Sequence, residues 1–166
     1  MVLSTIAIRQ LEALSAIIEQ LSDEDFRLEL PLLEGTSLGK HIRHTLEFHQ
    51  CLFAKKKVVS YDNRDRNVLL ETSRSEAINC IDELISRLRF VQLDNVLHLS
   101  VQYGTETIIV TSSVKREMAF LIEHTVHHKA ILRMALNQYF PQVTFDTSFG
   151  YADSTIRFLE QTKVAI

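Results

Sequence analysis

A chain of 166 residues, 46% hydrophobic and 23% charged, has the length of one domain (residues 1–166) and the composition of an ordinary globular protein. Its formal charge of -3 offers no basic surface to nucleic-acid phosphates, so no nucleic-acid partner is expected. The one basic cluster, Lys55-Lys56-Lys57, reads as a solvated helix end.

Cys51 and Cys80 both fall within apolar helical patterns and make no disulfide framework, so they read as small buried hydrophobes. The N-terminal segment has no basic leader, and Arg9 and Glu12 interrupt its apolar run. Neither a signal peptide nor a membrane span is expected, and the location predicted is cytoplasmic.

In residues 3–21, Leu3, Ile6, Ala7, Leu11, Leu14, Ile17, Ile18 and Leu21 recur at three and four, which predicts an amphipathic helix. The segment SDEDFRLELPLLEGTS, with Pro31 and Gly35 as breakers, reads as a connection. Thr36 or Ser37 can cap a second helix carrying Leu38, Ile42, Leu46, Leu52 and Phe53 to about Lys57. After a polar loop, SYDNRDRN, a third helix is predicted from about Thr72 to Phe90, with Ala77, Ile78, Ile81, Leu84, Ile85 and Leu88 on one face.

The period then changes to two. Leu97, Leu99, Val101 and Tyr103 alternate with His98, Ser100 and Gln102, and a turn near Gly104 leads to a return strand at Ile108–Val110. This predicts a small β-hairpin inserted before the last long helix, which Ser112 or Ser113 can cap and which runs to about Tyr139. The tail reads as irregular, with a short helix after Ser154. The economical architecture is all-α: a four-helix bundle with an inserted hairpin.

The last long helix carries LIEHTVHHKAIL. Residues four apart on an α-helix project within about 40° of each other, so His124 and His128 share a face, whereas His127 points aside. A third imidazole must come from another helix, and SLGKHIRHTLEFHQ offers His41 or His44; helical geometry alone leaves the two open. Three neutral imidazoles plus water make an open coordination sphere of the type found in catalytic zinc sites, and such a donor set also suits nickel, iron or copper. His98, on the polar side of the hairpin, reads as plain surface. There is no HExxH, no Glu-x-x-His, no CxxC and no nucleotide-binding glycine motif.

The order of SLGKHIRHTLEF, YDNRDR, SSVKREMAFLIEHTVHHKAIL and FGYADSTIRF resembles the DinB-like family, the DinB/YfiT-like superfamily of metalloenzymes. The resemblance implies a four-helix bundle with a metal held by His44, His124 and His128. It further implies a divalent cofactor, zinc or nickel first and iron or manganese next, and a homodimer. Some relatives act as thiol-dependent S-transferases or isomerases. The reading is therefore a metal-dependent enzyme that activates a low-molecular-weight thiol, or water, for transfer to or hydrolysis of a small molecule. The competing class is a non-catalytic metal-binding helical bundle or dimerisation module. Lys129-Ala130 stands where many members have Gly-Gln.

Candidates around such an ion are Glu117 as a base or ligand orienter, and His127 and His41 as alternative ligands or proton carriers. Tyr61 and Arg64, with Asn63, can reach the bundle mouth to bind an anionic group. The plainer reading has Asp62 and Asn63 in an Asx turn and Arg64 in a salt bridge.

Overall fold

A computed structural model describes residues 2–54 and 56–164. Among the described residues there are seven α-helices, one 3-10 turn and a three-stranded sheet. Helix α1 (Val2–Gln20) turns the predicted stripe inward and buries Ala7, Leu11, Leu14, Ile17 and Ile18.

The connection that follows is more ordered than its composition suggests. It contains a short helix α2 (Asp23–Arg27) and a 3-10 turn over Pro31–Leu33. Helix α2 exists because Ser22 and Asp25 form a capping box: the Ser22 hydroxyl accepts from Asp25 N–H at 3.0 Å, and Ser22 N–H donates to the Asp25 carboxylate at 3.2 Å. Five residues are too few to display a helical period, so the box was the only local signal.

Helix α3 (Leu38–Phe53) starts on Ser37, whose hydroxyl accepts from Lys40 N–H at 3.1 Å. It stops at Phe53, short of the predicted Lys57. Lys56 and Lys57 therefore follow the helix in an exposed connection rather than ending it, and Lys55 lies outside the described residues. Strand β1 (Val58–Val59), the loop 60–67 and helix α4 (Leu69–Thr72) come next. Helix α5 (Arg74–Leu88) is capped by Ser73 and buries Ala77, Cys80, Ile81, Leu84, Ile85 and Leu88.

Strands β2 (Val96–Tyr103) and β3 (Glu106–Ser113) pair antiparallel, with Gly104 at φ 58 in the turn. The sheet is not the lone hairpin expected. Strand β1 pairs parallel with β2, Val58 opposite His98 and Val59 opposite Leu99, so the order is β1-β2-β3. Two residues cannot show an alternation, so Val58–Val59, between the predicted helix end and the polar loop, carries no strand signal in the sequence. Leu97 and Leu99 face the core, while Tyr103, Ile108, Ile109 and Val110 stand exposed toward the hairpin tip.

Ser113 caps helix α6 (Val114–Tyr139), which contains neither Gly nor Pro. The tail is a longer helix than expected, α7 (Asp153–Val164). Before it, Phe149 is buried and the Arg133 guanidinium donates to the Thr147 and Phe149 carbonyls at 2.8 and 2.9 Å, fastening the tail to α6. Helix α1 packs on α5 and α6, and α3 packs on the same two, so the core lies among these four. No helix among the described residues is long and apolar enough to cross a membrane.

Gly39 marks the closest approach. A Cβ there would meet the Glu71 carbonyl oxygen and, at 2.8 Å, the Phe26 ring. Its absence lets α3 lie against α2 and α4. Gly39→Ala is expected to destabilise the protein by about 1–3 kcal/mol, because overpacking outweighs the gain in helix propensity. The urea midpoint measures this; an unchanged or raised midpoint would show that the α3–α4 contact is loose.

Candidate metal centre

The packing of α3 on α6 brings three imidazoles together. His44 comes from α3, and His124 and His128 sit one turn apart on α6. Each offers one ring nitrogen within 4.8 Å of the others, and the Nε2 atoms of His44 and His124 are 3.0 Å apart. Ring centroids are separated by 5.1 Å (His44–His124), 4.7 Å (His44–His128) and 4.6 Å (His124–His128). Two nitrogens bonded to one tetrahedral ion lie roughly 3.4 Å apart, so small ring rotations suffice to seat a metal. The three form the one group of potential ligands found among the described residues.

Hydrogen bonding fixes which nitrogen His128 presents. The Thr36 hydroxyl donates to the Leu33 carbonyl at 2.8 Å, so toward His41 Nε2, at 3.2 Å, it acts as acceptor. His41 then carries its proton on Nε2 and leaves Nδ1 bare. That bare Nδ1 lies 3.2 Å from His128 Nδ1, which must donate, and the lone pair of His128 is left on Nε2. His41 is thus an orienter of His128 with both its nitrogens engaged. A partner on the second ring nitrogen is the usual way a ligand histidine is held.

Aromatic rings fix His124. Phe48 stacks on it at 4.4 Å and 13°, Phe120 flanks it at 5.6 Å, and Tyr61 stacks on the other face of Phe48 at 4.8 Å and 10°. These phenylalanines were missed in the sequence, although a signal existed. Phe48 follows His44 by four residues and Phe120 precedes His124 by four, which places each on its histidine's own helix face.

Burial holds all three imidazoles in the neutral form that a metal requires. It is the largest cause in each case and lowers His44 and His124 to about 4 and His128 to about 3, from 6.5. Arg64 adds to it at His44, and coupling between neighbouring imidazoles adds to it at the other two, from His127 at His124 and from His124 at His128. Burial likewise lowers His41.

The other predicted residues have different places. His127 is exposed, its ring edge-on to His128 at 5.3 Å, and it is not one of the converging group. Glu117 is fully buried and its two oxygens accept from Tyr61 (2.8 Å), Ser112 (2.5 Å) and Arg116 (2.9 Å). It ties the hairpin and the 60–67 loop to α6. Burial first, and Glu117 second, raise the Tyr61 phenol far above its usual value, so Tyr61 is a neutral donor. His98 is exposed on β2.

Arg64 does form a salt bridge, to Glu47 at 3.1 Å, and donates to the Tyr61 carbonyl at 3.1 Å. Asp62 accepts from Gln102 N–H at 3.0 Å and so pins the loop to β2. Glu47 is only 2% exposed; it also accepts from Asn67 N–H at 2.6 Å and lies 3.7 Å from Arg43. Arg43 in turn lies 2.7 Å from Glu71, close but not aligned as a hydrogen bond. Of this network only a salt bridge at Arg64, without its partner, was legible in the sequence.

A pocket of about 250 Å3 opens beside the histidines, lined by Thr36, Lys40, His41, Arg43, His44, Arg64 and His128. The thiols of Cys51 and Cys80 line a separate cavity of about 310 Å3, and burial raises both, Cys80 to about 12, so neither is a thiolate at neutral pH. Comparison with family models, with curated proteins and with solved structures finds no match to this chain. The chemistry of the site has to be read from its own residues.

Because the folded histidines bind fewer protons than unfolded ones between pH 6.5 and about 4, the metal-free protein is most stable above pH 6.5 and loses stability as the pH falls through that window. Urea midpoints of chelator-treated protein from pH 7.5 to 4.5 should decline accordingly. A flat profile would mean that the imidazoles are not shielded.

Proposed function

We propose that His44, His124 and His128 hold one divalent ion, zinc or nickel first, in an open site, and that the chain is a metal-dependent enzyme of the DinB-like type acting on a small molecule. The observation that carries this reading is the convergence of three neutral imidazole nitrogens from two helices within 4.8 Å. The packing of α1, α3, α5 and α6 on one another supports a four-helix bundle as the underlying architecture.

Catalysis is favoured over a purely structural ion for two reasons. Among the described residues only three ligands converge, and His41, which also touches His128, spends its Nδ1 on that contact. In addition, His44 and His128 border a pocket large enough for a small ligand. Structural zinc sites are closed by four protein ligands, whereas catalytic ones keep a position open. When bound, a divalent ion supplies a Lewis acid that lowers the pKa of a thiol or of water near neutrality.

The residues of the chain account for the rest. Phe48 and Phe120 hold the His124 ring and shed water from that side, and the Thr36–His41 pair keeps the His128 proton on Nδ1. The chain's own thiols are protonated and border the other cavity, so a thiol nucleophile would come from outside.

Metal analysis after equilibration with zinc or nickel should give one ion per wild-type chain. His44→Ala, His124→Ala and His128→Ala should each lose it, while His127→Ala retains it. Equal metal content in all five proteins would sink the three-histidine assignment. If the metal is held, a panel of small thiols with electrophilic acceptors should show turnover that chelation abolishes.

A further inference from the structure

We propose that the pocket beside the histidines takes a small monocarboxylate, its charged end held by Arg64 and Lys40. The proposal rests on the three-histidine reading only for what meets the ligand's other end, next to His44 and His128. Its own basis is the charge and preorganisation of the pocket wall.

Among the described residues no carboxylate lines this pocket, whereas Lys40, Arg43 and Arg64 all do. The balancing carboxylates, Glu47 and Glu71, stand behind it, Glu47 against Arg64 and Arg43 and Glu71 against Arg43. Three cations against two carboxylates leave one positive charge, which matches a single negative one better than a dianion.

Arg64 is held from three directions. Its Nε donates to Glu47, its Nη1 donates to the Tyr61 carbonyl, and its guanidinium lies 5.3 Å from the centre of the Phe48 ring. Among the described residues Nη2 takes no protein acceptor. A ligand carboxylate therefore gains a charge-assisted bond without the cost of ordering the side chain.

Lys40 lies exposed in the first turn of α3, and no carboxylate lies within ion-pair distance of it among the described residues. The volume, about 250 Å3, lies below the usual range of drug-sized pockets, about 300–1,000 Å3, and so suits a short acid.

Butyrate, with butyramide as a control of the same shape and no charge, tests this by ligand-observed NMR on the full chain, metal-free and zinc-loaded. Butyrate should bind both forms and butyramide at least about tenfold more weakly, as expected for loss of a charge-assisted contact. Arg64→Gln should weaken butyrate about tenfold, and Lys40→Gln about threefold. Lys40→Gln changes an exposed side chain and keeps the fold, so it decides the matter even if Arg64→Gln unfolds by orphaning Glu47.

Undetectable butyrate binding to both forms, equal binding of butyramide, or unchanged butyrate affinity in Lys40→Gln overturns the proposal. Failure of the three-histidine reading would show instead as an absence of zinc uptake, with butyrate binding to the metal-free form intact.

Discussion

Everything at this site depends on one packing contact, that of α3 on α6. Each helix alone carries histidines that face in several directions. Only when Leu38, Ile42 and Leu46 of α3 and Met118, Leu121 and Leu132 of α6 bury themselves in the common core do His44, His124 and His128 converge at its edge. Apolar burial supplies the free energy, and the imidazoles occupy the margin of the contact, half-buried. That position lowers their proton affinity while leaving a pocket beside them.

Around that contact the molecule builds a continuous chain of support. His124 stacks on Phe48, Phe48 on Tyr61, Tyr61 donates to Glu117, and Glu117 accepts from Ser112 at the end of the hairpin. The hairpin, which looks like an appendage in the sequence, thus buttresses one of the three converging imidazoles. Glu117 would be costly to bury alone, but three donors satisfy it, and this makes it a tie between elements rather than a free base.

The second layer is ionic. Glu47 gathers Arg64, Arg43 and the Asn67 backbone N–H beside the aromatic stack, where Arg64 lies over the Phe48 ring. A buried pair of this kind contributes little net stability, yet removing one partner strands the other charge. Its consequence here is positional: it holds a guanidinium still at the edge of a cavity that three imidazoles, His41, His44 and His128, also line.

Much of this was legible in the chain. The apolar stripes of α1, α3, α5 and α6, the two helix starts to within one residue (Thr36 or Ser37, Ser112 or Ser113) and the β2–β3 pairing follow from local periodicity and capping chemistry, and the i, i+4 spacing selected His124 and His128. Elements too short to have a period, α2, β1 and α4, were not legible, because two to five residues carry no repeat.

The choice between His41 and His44 was not decided by helix geometry either, since about 60° separates them and both reach toward α6. The sequence by itself determined that imidazoles would lie on two long amphipathic helices. The resemblance named His44, but only the tertiary structure sets it in the converging group and gives His41 to orienting His128. The rotation and offset of one helix against another are set by the whole core, not by either helix's residues.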